Sequence, residues 1–168
     1  MEALEIAIKM ELEGKEFYRK ASEKSRDPLG TELFAKLAEI EDRHAETARR
    51  LHDSLKGGGA AGGVDISADQ GKPLKSLFAK ATKDLERSQQ VIQTEIEAIK
   101  VALGMEEKSR KFYEEHSTKA KRSLEKRFFR LLAAEERDHY LTLTDYQEYL
   151  TNPAGWFAKA EHISVDGG

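Results

Sequence analysis

The 168-residue sequence contains no cysteine, which excludes disulfides, thiolate zinc sites, iron–sulfur clusters and a cysteine nucleophile. Histidine and carboxylate side chains are then the only strong metal ligands on offer. Long apolar runs are missing too. The longest stretch without a charged residue, Tyr149 to Ala158, is ten residues, half of the roughly 20 that a membrane-spanning helix needs. The acidic start, Met1-Glu2-Ala3-Leu4-Glu5, does not read as a signal peptide, so the expected compartment is the cytoplasm. A large excess of one charge is also absent. With 28 Lys+Arg interleaved among 31 Asp+Glu the net charge is −3, which gives no footprint for nucleic acid or an anionic membrane. Proline is scarce, at three residues, and β-branched runs are few.

What is abundant is Glu, Lys, Ala and Leu, the composition of a chain that is helical almost throughout. Apolar residues at three- and four-residue spacing predict four long helices. The first runs from about Ala3 to Lys24, stopping before Asp27-Pro28, and the second runs from there to the Gly57–Gly63 stretch. A connecting helix is expected from Leu74 to about Gln90. The third long helix is expected near Thr94, where Thr94 and Glu97 have capping-box spacing, and to fray after His116. The fourth ends before Asn152-Pro153, and Trp156 and Phe157 belong to a tail packing back on the bundle.

Sliding the sequence by 95 residues superimposes Glu2–Thr47 on Glu97–Thr142 without a gap. Identical pairs include Met10/Met105, Glu11/Glu106, Phe17/Phe112, Tyr18/Tyr113, Leu37/Leu132, Ala38/Ala133, Glu41/Glu136 and His44/His139. Two helical hairpins of common design follow, at about 2–56 and 94–150, joined by a crossover at about 57–93 and followed by a tail at 151–168. A helix of about 26 residues is about 39 Å long, and only a long connection spans that distance. The expected fold is an all-α crossover four-helix bundle of the ferritin-like type. The glycine-rich connection also permits the hairpins to be exchanged between two copies of the chain.

Glu11, Glu41, Glu106 and Glu136 fall in the middle of apolar stripes. A desolvated carboxylate costs several kcal/mol or stays protonated, and four of them converging repel one another. No lysine or arginine shares the inward positions, whereas two divalent cations bring +4 against four carboxylates at −4 and leave His44 and His139 neutral as ligands. In Glu41-Asp42-Arg43-His44 and Glu136-Arg137-Asp138-His139 the spacing puts each Glu and His on one helix face, a turn apart. Glu11 and Glu106, from the other two helices, complete or bridge the pair. Tyr18 and Tyr113 are placed to hydrogen-bond the ligand carboxylates. Met10 and Met105 read as core filler, His52, His116 and His162 as surface or cap residues, and the basic clusters near Lys119–Arg122 and Lys126-Arg127 as solvated.

With these motifs in view, the chain resembles the ferritin-like di-iron domain of the rubrerythrin family, as a stand-alone domain. The resemblance rests on Met10-Glu11…Phe17-Tyr18, Glu41-x-x-His44, Met105-Glu106…Phe112-Tyr113 and Glu136-x-x-His139. It implies two non-haem iron ions, with manganese an alternative, and neither haem nor an iron–sulfur cluster. It also implies Glu11 and Glu106 as terminal carboxylates, Glu41 and Glu136 as bridges, and His44 and His139 as terminal nitrogen ligands. The implied activity is peroxide reduction, or reaction of ferrous iron with dioxygen as a ferroxidase; a dimanganese catalase-like site is a further alternative. A homodimer is implied, and an external electron donor, rubredoxin-like or a flavoprotein, because the family's rubredoxin iron needs cysteines. The family's further glutamate, a turn into the third long helix, has no counterpart at Lys108-Ser109-Arg110.

Overall fold

The computed structural model describes residues 2–57, 64–67, 72–82 and 86–165, with the backbone alone at 72–73 and 162–165. Its helices are α1 (Glu2–Lys24), α2 (Pro28–Lys56), α3 (Lys72–Leu77), α4 (Gln89–Lys119), α5 (Ser123–Thr151) and α6 (Pro153–Val165). Among the described residues there is no strand, and no helix is long and apolar enough to cross a membrane. α1 pairs with α2 and α4 with α5, giving the two hairpins of an all-α ferritin-like bundle.

The α1–α2 turn is tight because Asp27 caps α2. Its extended backbone lets the carboxylate accept from the Gly30 amide at 3.1 Å, and Pro28 follows at the first helical position, where its missing N–H costs nothing. A Cβ on Gly30 would lie 2.6 Å from Glu95 Oε2 and collide with the Tyr146 hydroxyl, so only glycine fits this close approach.

The apolar residues form two clusters. One holds Tyr18, Leu33, Phe34, Leu37, Ile99, Leu143 and Tyr146. The other holds Leu4, Ala7, Leu51, Tyr113, Phe128, Phe129 and Leu132. Along α1 the chain passes from the second cluster through Glu11 to the first, and along α4 from the first through Glu106 to the second. The hairpins are thus related by an approximate twofold, with a polar layer between two apolar plugs.

The crossover differs from expectation. The connecting helix is short: α3 and a 3-10 turn, Phe78–Lys80, end at Ala81, whose extended backbone breaks the helix. α4 then starts at Gln89, more than a turn before Thr94. Ser88 is its cap, accepting from the Val91 amide at 3.3 Å, while the Thr94 hydroxyl donates to the Gln90 carbonyl inside the helix. The preceding Arg87 fixes this start. It is ion-paired with buried Asp27, donates to the Tyr149 hydroxyl at 2.8 Å, and its guanidinium lies over the Tyr149 ring. α4 also continues past His116 to Lys119. The tail forms α6, where Trp156 packs edge-on against Tyr149 and donates to Asp145 at 2.8 Å. The Gly58–Gly63 part of the glycine-rich stretch lies outside the described residues.

Candidate metal centre

The structure brings all six predicted ligand residues together in the polar layer. Glu11, Glu41, His44 and Glu136 form one group and Glu41, Glu106, Glu136 and His139 another, each with one ligand atom per residue, all within 4.8 Å of one another. Glu41 and Glu136 belong to both groups. All six are buried, and the two imidazole rings stack with centroids 6.0 Å apart.

The hydrogen bonding crosses the twofold. Tyr18 of α1 donates to Glu106 of α4, and Tyr113 of α4 donates to Glu11 of α1, so each tyrosine orients the carboxylate supplied by the other hairpin. His44 Nδ1 lies 3.3 Å from Glu11 Oε2. His139 Nδ1 lies 3.3 Å from oxygens of Glu41 and Glu136 and 3.5 Å from Glu106 Oε2, yet none of these contacts has hydrogen-bond geometry. Glu106 Oε2, Glu136 Oε1 and His139 Nδ1 are buried without a hydrogen-bond partner. Such groups are costly in a core, and three of them converging in a layer of oxygens and imidazoles are the donor set of a hard or borderline divalent cation. The residues present therefore fit a dimetal site.

Without metal, the cluster balances its charge by holding protons. Burial raises Glu41 and Glu136 well above the usual carboxylate range, and the neighbouring carboxylates raise them further. Burial also opposes ionisation of Glu11, but hydrogen bonds from Glu41, His44 and Tyr113 outweigh it and bring Glu11 to about 2. Against the cost of its burial, Glu106 is lowered by Glu136, by the charge of His139 and by the hydrogen bond from Tyr18. Burial disfavours the charged imidazoles, yet contacts with Glu11 and Glu135 take His44 to about 10, and Glu106 chiefly raises His139. Tyr18 and Tyr113 stay neutral, raised by burial and by Glu106 and Glu11 respectively.

One residue of the cluster was not expected. Glu135 is buried and its Oε2 lies 3.3 Å from His44 Nε2, on the far side of the ring from Glu11. Its partner at the 95-residue offset is Ile40, so His139 has no equivalent contact from that position. The Glu135-Glu136 doublet at the start of the second Glu-x-x-His was the available signal, masked because the repeat directs attention to matched positions. His52, expected at the surface or a cap, is buried instead, with Nε2 3.0 Å from Glu5. His116 is half-buried against Phe112 and Phe129. His162 lies in α6 where the backbone alone is described.

A cavity of about 10 Å³ adjoins the shared carboxylates, lined by Gly14, Ser109, Tyr18, Glu41, Glu106 and Glu136 together with Met10 and Met105. That is room for about one water-sized molecule. A Cβ on Gly14 would stand 3.3 Å from Glu41 Oε2. On the opposite flank a polar depression of about 250 Å³, lined by Arg43, Thr47, Arg50, Asp65 and Ser67 among others, reaches His44, whose side chain is 11% exposed against 2% for His139.

A four-helix bundle that gathers two Glu-x-x-His segments and two further glutamates around one buried layer defines the class: the ferritin-like proteins with a carboxylate-rich dimetal site. Within that class the rubrerythrin family model matches residues 2–147, and the chain belongs to the rubrerythrin family. A solved structure of a hypothetical protein from Pyrococcus furiosus is similar, at 29% identity and a TM-score of 0.61, with 89% of each chain covered. A search of curated proteins finds no match.

Proposed function

We propose that this chain is a non-haem di-iron oxidoreductase that reduces hydrogen peroxide with electrons from an external donor, a rubredoxin-like protein or a flavoprotein. The observation that carries the reading is the pair of carboxylates, Glu41 and Glu136, shared by two ligand groups beside a cavity of about 10 Å³. Two irons so held supply the two electrons that cleavage of a peroxide O–O bond consumes. The residues do the rest. Glu11 and His44 hold one metal position, Glu106 and His139 the other, and Glu41 and Glu136 keep the two adjacent. The Tyr18 and Tyr113 hydroxyls fix one oxygen each of Glu106 and Glu11, so that the other oxygen of each would be available to a bound metal. Gly14 keeps the cavity open beside Glu41. Fully buried Leu37 and Leu132, from the two apolar plugs, exclude bulk water, while the polar depression at His44 offers a solvent approach.

Ser109 gives iron oxidation a specific basis as a second reading. It lines the cavity where the family resemblance implies a further glutamate, so a carboxylate that could follow redox change is missing there. The discriminating experiment is an anaerobic Fe(II) titration followed by stopped-flow mixing with peroxide or with dioxygen. Two irons per chain and a much faster reaction with peroxide support peroxide reduction. An equal or faster reaction with dioxygen makes iron oxidation the function, and oxygen evolution from peroxide by the manganese-loaded protein without added reductant makes it a catalase. Failure to bind two metals removes all three.

A further inference from the structure

Four of the five tyrosines are buried, and a line of rings and hydrogen bonds runs from the polar layer toward the surface through three of them. Tyr18, which donates to Glu106, stacks on Phe34 with ring centroids 6.3 Å apart, and Phe34 packs edge-on against Tyr146 at 6.2 Å. The Tyr146 hydroxyl lies 3.0 Å from Asp27, Asp27 is ion-paired with Arg87, and Arg87 donates to the Tyr149 hydroxyl at 2.8 Å. Tyr149 in turn packs edge-on against Trp156 at 5.3 Å. Trp156 is half-buried on α6 and is the only tryptophan in the sequence.

Ring packing alone makes a core, not a function. Two observations go beyond packing. A buried hydroxyl needs some acceptor, but at all three of the readily oxidised rings the acceptor is a carboxylate. Tyr18 has Glu106, Tyr146 has Asp27 and also Glu95 at 3.1 Å, and the Trp156 indole donates to Asp145 at 2.8 Å. A phenol or indole becomes a strong acid when it loses an electron, so its oxidation is eased where a base already holds its hydrogen. Burial raises Asp145, which makes it the better base for the indole proton. Tyr149 differs: the Arg87 guanidinium lies over its ring and disfavours positive charge there, so it serves as a bridge. The second observation is that the duplicated half lacks the same exit. Phe129 stacks on Tyr113 at 6.1 Å as Phe34 does on Tyr18, but Leu51 and Ser54 stand at the positions matched to Tyr146 and Tyr149. Phe129 leads on to Phe128 and His116, rings that are hard to oxidise.

We propose that this line is a relay that passes single electrons from Trp156, through Tyr149, Tyr146 and Tyr18, to the metal layer when the iron present cannot supply both electrons that peroxide takes. The proposal rests on the peroxide-reducing reading above. With a single Fe(II) in the site, one electron comes from the iron and the second from Tyr18, whose phenolic proton passes to Glu106. Fe(II), the phenol, hydrogen peroxide and one further proton balance as Fe(III), the phenoxyl radical and two waters. Tyr18 then regains an electron from Tyr146 and its proton from Glu106, while Tyr146 leaves its own proton on Asp27 or Glu95. Tyr146 is restored in the same way from Trp156 across Tyr149, and the Trp156 proton rests on Asp145. The oxidation has moved from beside the buried ligands to a half-buried indole. There a one-electron reductant in solvent, such as ascorbate, returns the electron and Asp145 returns the proton.

A sequence with no cysteine and one tryptophan makes both the label and the signal unique. Val101 is 54% exposed and shares a groove with Phe17, whose ring centroid is 5.4 Å from that of Tyr18. Metal-free protein carrying a ruthenium photo-oxidant on Val101→Cys, flashed in the presence of an electron-accepting quencher, should yield the neutral indolyl radical by transient absorption. Adding Tyr18→Phe should abolish that signal, and adding Trp156→Phe should replace it with a tyrosyl signal. Trp156 is none of the six candidate ligands and touches none of them, so Trp156→Phe should match the parent in metal binding and helical circular dichroism. Protein loaded with one Fe(II) per chain and freeze-quenched after one equivalent of peroxide should show the same indolyl radical by electron paramagnetic resonance, and ascorbate should remove it. A flash experiment without the indolyl radical, or one whose signal survives Tyr18→Phe, overturns the relay. So does oxidation of the iron by peroxide with no radical at Trp156. Failure of the loaded protein to react with peroxide overturns the peroxide-reducing reading instead, and the metal-free flash experiment still decides the relay.

Discussion

The protonation of the metal-free cluster makes a quantitative prediction about loading. Glu11 and Glu106 are ionised, His44 and His139 are protonated, and Glu41 and Glu136 are held neutral by burial and by their neighbours. Two negative and two positive charges cancel. Ionising Glu41 and Glu136 as well would leave an uncompensated −2 in the core, which is why the protons stay. Ligation demands the opposite state, four carboxylates and two neutral imidazoles. Binding two divalent cations near neutral pH should therefore expel one proton each from Glu41, Glu136, His44 and His139, four in all.

By linkage, four protons released means that the product of the two binding constants rises by roughly 10,000-fold per pH unit, or about a hundredfold per site. Anaerobic calorimetry with Fe(II) or Mn(II), in buffers of differing ionisation enthalpy, measures the stoichiometry from the slope of heat against buffer enthalpy. The metal-free protein should respond to pH in the opposite sense. The folded values of Glu41 and Glu136 exceed their unfolded ones, so stability falls as pH rises above the ordinary carboxylate range; for His44, the loss runs from 6.5 to about 10. Thermal unfolding of apo and loaded protein should thus diverge as pH rises. Release of fewer than about one proton per two metals would refute the protonated cluster and the charge argument built on it.

Three substitutions test the individual roles. His44→Ala or Glu136→Ala should abolish stoichiometric binding of the second metal; full two-metal binding by either variant refutes the ligand assignment. Glu135→Gln should lower affinity at the His44 position by roughly 10–100-fold while leaving the His139 position less affected, read by metal competition, because Glu135 braces the His44 ring. Gly14→Ala and Gly104→Ala form a matched pair in helix interiors, each gaining about 1 kcal/mol of helix propensity. A Cβ on Gly104 meets nothing within 4 Å, so its gain should appear in full by denaturant unfolding with metal loading unaltered; on Gly14 the Cβ presses on Glu41, so loading should weaken there.

The bundle and the six ligand positions were legible because they rest on periodicity and duplication, which a sequence displays directly. An inward glutamate seven residues before a tyrosine, repeated at one offset, has few other physical explanations. The crossover was not legible for the opposite reason. Leu74 to Gln90 has helix-forming residues throughout, but Arg87 finds Asp27 and Tyr149, contacts 60 and 62 residues away, and these set the start of α4 at Gln89 in place of the local capping-box signal at Thr94. Glu95 belongs to the same network: it accepts from Ser25, from the Arg26 amide and from Tyr146, and nothing near it in sequence announces that burial.

Glu135 shows the limit of reading function from a repeat. Duplication makes matched residues conspicuous and unmatched ones invisible, yet the two metal positions are distinguished by the unmatched pair Ile40 and Glu135. At one, His44 is braced by a carboxylate on its far nitrogen and lies beside a polar depression; at the other, His139 is 2% exposed and receives no such contact from Ile40. A braced imidazole with solvent access favours earlier loading and easier exchange there than at the enclosed His139 position. Titration with one equivalent of metal should then perturb His44 before His139 in imidazole NMR spectra of a diamagnetic Zn(II)-loaded sample, and Glu135→Gln should erase that order.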